Sequence, residues 1–230
     1  MCGRFTLGEI KELMTRFSIE HPLADMPKPR YNIAPSQAVP VVISRSPRAL
    51  VMMQWGLVPF WAKDPSIGSR MINARSETVA SRPAYRASVK SRRCLVPTTG
   101  FYEWKDSDKG KIPYLVKKKD EKLFAMAGLY DHWMGADGSE LLSFTILTTD
   151  SNEMMRPIHD RMPVVLHRDD EELWVKSEPL PEGELERIRD PYPSEEMEAY
   201  PVSRAVNDAS KDSSDLIKPV ATVRSGKQWF

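Results

Sequence analysis

An α+β fold, built on a mostly antiparallel sheet or open barrel with a few flanking helices, is predicted for this 230-residue chain from three observations. Short apolar runs bounded by turn residues recur along it, the pattern of strands. Helix-period segments do not alternate with those runs, as they would in a parallel βαβ fold. Nineteen prolines and six tryptophans favour a packed core with rigid turns over long helices. With no internal repeat and no low-complexity tract, one domain is expected over residues 1–220, followed by a tail at 221–230.

The elements follow in order. TLGEIKELMTRFSI (6–19) predicts a helix: Thr6 and Glu9 form a capping-box pattern, and Ile10, Leu13, Met14 and Phe17 fall on one face. AVPVVIS (38–44) and ALVMMQW (49–55) predict a strand pair after a proline-rich loop. RRCLVPTTGFYEW (92–104) runs from a buried strand into Glu103. Further strands are expected at PYLVKKK (113–119), LFAMAGLY (123–130), LLSFTILTT (141–149) and MPVVL (162–166), with KKDEK and GADGS as turns. DDEELWVKS (169–177) predicts a short helix, and 177–196 reads as a mobile stretch.

Composition narrows the function classes. Two cysteines, Cys2 and Cys94, cannot make a disulfide framework, which points to a reducing compartment. Arg4, Glu9 and Lys11 interrupt any apolar run near the start, so no signal peptide is read, and no stretch reaches the roughly 20 apolar residues of a membrane span. The net charge of +1 conceals an asymmetry: residues 168–198 hold twelve acidic and four basic residues, a net of −8, against +9 for the remainder. A basic body suits a polyanion on one face, although on charge alone the acidic segment reads as a solvated helix and loop.

Common catalytic signatures are absent: no GxSxG, no glycine-rich phosphate loop, no HExxH and no CxxC. His21, His132, His159 and His167 lack metal-ligand spacing, so neither a metal nor a cofactor is expected. Instead, polar residues sit inside rigid or apolar strings: MCGRF, RYNIAPSQ, WGLVPFW, MINARSET, GFYEW, IHDRMP and the late PVSRAVN. Singly, each has an ordinary structural explanation: Asn73 as a turn cap, Glu103 as a strand-edge carboxylate, His159 as part of a hydrogen-bonded turn, the tryptophans as core. Cys94 lies in an apolar run and reads as inert packing.

Together, in this order and across nearly the whole chain, the strings resemble the SRAP family of SOS response-associated peptidase proteins, also described as abasic-site DNA–protein crosslinking proteins. The resemblance implies that Cys2, once Met1 is removed, offers an α-amine and a thiol on neighbouring carbons. The amine, with a reference pKa near 7.7–8.0, condenses with the aldehyde of a ring-opened abasic sugar, and the thiol closes a five-membered thiazolidine. It further implies proton transfer by Glu103 and His159, and hydrogen bonding of Cys2 and the sugar by Asn73. DNA contacts are implied for Arg4, Asn32, Pro35, Trp61, Met71, Arg75, Trp104, Thr149 and Arg161, with Arg30 a weaker candidate. The partner expected is single-stranded DNA containing abasic sites, bound by a monomer that is cytoplasmic and DNA-associated, or nuclear in a eukaryote. A thiol autopeptidase that releases Met1 and a noncovalent single-stranded-DNA module are the alternatives.

Overall fold

The computed structural model describes residues 2–44 and 48–220, and the tail expected at 221–230 lies outside them. In chain order its strands are β1 (Phe5–Leu7), β2 (Arg30–Ile33), β3 (Ala38–Ile43), β4 (Ala49–Trp55), β5 (Asn73–Arg75), β6 (Arg93–Thr98), β7 (Gly100–Lys105), β8 (Ile112–Lys118), β9 (Phe124–Met134), β10 (Glu140–Asp150), β11 (Arg161–Pro163) and β12 (Met197–Pro201). The α-helices are short: α1 (Leu13–Arg16), α2 (Ser88–Ser91), α3 (Arg168–Val175) and α4 (Glu184–Ile188).

The α+β class and the single domain hold, with one refinement. The barrel is closed, because β9 pairs with both β6 and β10, completing the circuit β10–β4–β3–β6–β9. Closure needs a parallel β4–β10 contact, and β5 adds a second parallel pairing on β10, so the sheet is mixed. Two prolines lie within barrel strands without breaking them. Pro40 and Pro97 each pair on one side only, since β3 and β6 meet solely at Val42–Leu95 and Ile43–Cys94. Gly128, opposite Cys94, is demanded by close approach: a Cβ there would lie 2.7 Å from the Cys94 sulfur and 2.8 Å from Val96.

A second sheet, ordered β12–β8–β7–β1–β2, lies against the barrel. Alternation along its strands divides its side chains between two faces. Phe5, Phe101, Val116 and Met197 join the barrel core, whereas Tyr102 and Leu115 point outward to Val202, Val206 and Leu216. The segment after β12 therefore crosses the outer face as a strap.

The expected helix over 6–19 is curtailed. Phe5 and Leu7 are buried in β1 between β7 and β2, so Thr6 does not cap a helix; its hydroxyl meets Thr99 Oγ1 at 2.7 Å. Only a 3₁₀ turn at Ile10–Glu12 and α1 remain helical, with Ile10, Leu13 and Phe17 buried as the periodicity required. Here sheet pairing overrides local helix preference. The strand expected at 162–166 ends as β11 at Pro163, and Val165 makes an isolated bridge to Met126. The stretch 177–196 is not loose: it contains α4, buries Ile188 and Tyr192, and Asn152 donates to the Tyr192 carbonyl at 2.6 Å.

The acidic segment also packs on the body. Asp169, Asp170 and Glu171 occupy the first turn of α3, where carboxylates favour the helix dipole. Glu171 takes two bonds from Arg16, at 2.8 and 2.6 Å. At the other end of α3, buried Arg93 donates to the carbonyls of Trp174, Lys176 and Glu178, the satisfied form of a helix C-terminus.

Candidate active site

Three elements from distant parts of the sequence meet at one end of the second sheet. The first is the residue pair leading into β1. Tyr102 N–H donates to the Arg4 carbonyl at 2.9 Å, extending the β1–β7 ladder toward Cys2, whose side chain has no exposed surface. The second is β5, held on β10 by the pair Asn73–Ile146, from which Asn73 Nδ2 donates to the Cys2 carbonyl at 2.7 Å. The third is β7, where Glu103 lies two residues beyond inward-facing Phe101 and is 2% exposed.

The electrostatics follow from that enclosure. Burial pushes the Cys2 thiol far up, and the charge of Glu103 pushes it further, so the sulfur is a thiol and not a thiolate at neutral pH. Burial likewise pushes the Glu103 carboxyl up to about 7, with Asp160 adding to the rise. A carboxyl in that range both gives and takes a proton near neutrality. Asn73 keeps a spare acceptor, because its Oδ1 is buried without a hydrogen-bond partner among the described residues.

His159 sits at the end of the turn that enters β11. Its Nδ1 accepts from the Arg161 N–H at 3.0 Å and also lies 2.8 Å from Asp160 Oδ1. The two contacts need opposite states of one atom: a lone pair for the N–H, a proton for the carboxylate. Burial lowers the His159 pKa against the pull of Asp160, favouring the neutral ring with its proton on Nε2.

The remaining sequence-predicted residues divide by surroundings. Arg75 and Trp61 are exposed, and with Asn73, Arg82 and Tyr85 they line a cavity of about 470 Å³ beside the site. Arg161 is 9% exposed and occupied: Nη1 donates to Glu77 and Asp150 at 2.7 Å each, and Nη2 donates to Glu77 at 3.0 Å and the Thr148 carbonyl at 2.7 Å. Arg4, Asn32 and Trp104 gather under the strap. Asn32 is fully buried, its amide donating to the carbonyls of Val206, Asp208 and Lys211. Met71 and Thr149 are buried, and Pro35 is half-buried in the β2–β3 turn. Arg30 stands apart, paired with Asp212 and Gln37. Sequence reasoning misses Glu77, Asp160, Arg82 and Tyr85 as site residues, although Glu77 and Asp160 lie inside the MINARSET and IHDRMP strings. Among the described residues no group of His, Cys, Asp and Glu is placed to hold a metal, and no helix is long and apolar enough to cross a membrane.

Comparison with known proteins shows the family. The family model described as SOS response associated peptidase (SRAP) matches residues 1–209. The abasic site processing protein YoqW of Bacillus subtilis (strain 168) is 44% identical over 222 residues, covering 95% of this chain and 99% of the relative. The abasic site processing protein HMCES of Gallus gallus is 35% identical over 227 residues, covering 84% of this chain and 67% of the relative. A crystal structure of a protein from Bacteroides thetaiotaomicron superimposes with a TM-score of 0.86 at 27% identity, covering 96% of this chain and all of that one. The chain belongs to the SRAP family.

Proposed function

We propose that the protein processes abasic sites in single-stranded DNA by linking its processed N-terminal Cys2 covalently to the opened sugar. The observation that carries this reading is the enclosure of Cys2, with Asn73 on its carbonyl and the charge of Glu103 beside its thiol. The names of the relatives, abasic site processing proteins, agree with it.

The chemistry follows from the groups. With the thiol held protonated, the α-amine exposed by loss of Met1 is the first nucleophile. It adds to the aldehyde carbon of the opened deoxyribose; the carbinolamine then loses water to give an imine. Glu103, titrating near 7, takes a proton from the adding amine and returns one to the departing hydroxyl. The Cys2 sulfur then adds to the imine carbon, its proton passes to the nitrogen, and the thiazolidine closes. One water leaves overall. Neutral His159 serves the sugar hydroxyl during ring opening, and the spare Asn73 Oδ1 accepts from the sugar. Arg4 and Arg75 bind flanking phosphates, and Trp61 and Trp104 stack on neighbouring bases. Occupied Arg161 contributes chiefly by fixing the turn that carries His159.

The test uses chain whose Met1 is verified as removed by intact mass. Mixed with a single-stranded oligonucleotide bearing one abasic site, wild type should give a heat-stable shifted band on a denaturing gel. Cys2→Ser should give an adduct only after borohydride trapping, and a residue left ahead of Cys2 should abolish it. A heat-stable adduct from a verified uncut terminus refutes the α-amine route. Binding without an adduct leaves the noncovalent module, and cleavage at Met1–Cys2 by purified protein adds the autopeptidase.

A further inference from the structure

PVSRAVN (201–207) has no role in the chemistry above, yet its last two residues touch three of the side chains assigned to DNA. The Val206 carbonyl accepts from Arg4 Nη1 at 2.9 Å and from Asn32 Nδ2 at 3.2 Å. Asn207 Oδ1 accepts from Trp104 Nε1 at 2.8 Å. Asn32 Oδ1 in turn accepts from Arg4 Nη1 at 2.7 Å.

We propose that the Val206–Asn207 dipeptide is the positioning hub of the DNA-binding surface, setting the Trp104 ring and the Arg4 guanidinium in their bound orientations before DNA arrives. The inference rests on the DNA-processing reading above and concerns affinity alone. Trp104 lies two residues beyond Tyr102 on β7, so its indole shares the strap side of the sheet, half-buried against the Tyr102 cluster. Without Asn207 the half-buried ring loses the bond that fixes its indole N–H, and binding must remove the rotameric freedom regained. Arg4 Nη1 gives its protons to Val206 and Asn32, which holds the guanidinium plane and leaves Nη2 without a hydrogen bond among the described residues. An arginine so anchored presents a fixed edge to a phosphate. Asn207 itself is exposed, so its own burial contributes little to the fold.

Asn207→Leu keeps the side-chain shape and removes the acceptor; Asn207→Asp keeps an acceptor oxygen. Affinity for an undamaged single strand is read by fluorescence anisotropy, and the maximal adduct rate at saturating abasic oligonucleotide is read separately. N207L should raise both Kd and the half-saturating DNA concentration about fivefold, the ratio equivalent to the ~1 kcal/mol net worth of one hydrogen bond. Its maximal adduct rate should stay within about twofold of wild type, and N207D should bind within about twofold of wild type. In a Trp104→Phe background, which keeps a ring but no donor, N207L should add less than about twofold. The hub is overturned if N207L binds as wild type does, if N207L and N207D weaken equally, or if N207L still adds its full effect in W104F. Should wild type form no adduct at all, the covalent reading falls, and the undamaged-strand affinities still decide the hub.

Discussion

Replacing Glu103 by glutamine is expected to stabilise the fold, and to do so only above the acid range. The carboxyl is 2% exposed and titrates at about 7, where an ordinary glutamate titrates at 4.5, and burial is the leading cause. Below pH 4.5 it is protonated in folded and unfolded chains alike. Between 4.5 and 7 the folded protein retains a proton that the unfolded chain has released, so stability declines as pH rises through that window and levels off above it. At about 1.36 kcal/mol per pH unit the full decline is on the order of 3 kcal/mol. A glutamine side chain cannot ionise and avoids it. For a chain of this length 1 kcal/mol moves Tm by roughly 2–4 °C, so the variant should melt roughly 6–12 °C above wild type at pH 8 and with it near pH 4.5. Scanning calorimetry across pH 4.5–8, on both proteins in the same N-terminal processing state, measures this directly. A constant difference across that range, or a variant less stable at pH 8, refutes the claim that Glu103 is held against its hydration. On the route proposed above, adduct formation should meanwhile slow, the outcome expected where stability is exchanged for chemistry.

Other perturbations reach different parts of the molecule. Glu77→Gln removes the charge of a bidentate partner from nearly buried Arg161, and because the Glu77 side chain is 35% exposed, the loss should be about 1–2 kcal/mol by urea unfolding at pH 7. Burial tends to raise the Glu77 carboxyl but Arg161 outweighs it and lowers it, so this contribution is present above the ordinary carboxylate range and should fade as pH falls below it; an equal loss at pH 3.5 contradicts the ion pair. Gly128→Ala should cost about 1–3 kcal/mol by thermal melting, and adding Cys94→Ala should return part of that, since the Cys94 sulfur is the nearest obstacle at 2.7 Å; no recovery would place the strain elsewhere. Noncovalent affinity for undamaged single strands should fall with salt at a log–log slope of about −2, the value for two or three phosphates, and a slope near −7 would contradict so small a charged footprint.

The strands of the barrel were legible because their apolar runs are long and their turns carry Gly, Asp and Ser; GADGS closes the β9–β10 hairpin with Asp137 accepting from the Ser139 N–H. The short elements were not. β1 has three residues inside a segment whose spacing is helical, and β5 has three residues held by a parallel partner 73 positions on, at Asn73–Ile146. No window of sequence contains that pairing, and barrel closure through β4–β10 is invisible for the same reason. Cys2, Asn73, Glu103 and His159 stand as site candidates through motif order. Their supports were harder to see: Glu77 acts through Arg161, 84 positions on, and Asn207 lies 103 positions from the indole it holds.

The Cys2 end of this chain leads into an inner rung of its sheet, since β1 has β7 on one side and β2 on the other. Phe5 waits for Phe101 to be translated before that rung can form. At synthesis speeds of ~5–20 residues per second, the delay is about 5–20 s. On the route proposed above, an aminopeptidase has its opportunity at Met1 on the ribosome, before β1 pairs; an autopeptidase would act only after that pairing. On the same route, a nascent polypeptide that ends before β7 carries Cys2 without Glu103 or His159, and aldehydes met during synthesis would find an unassisted amine.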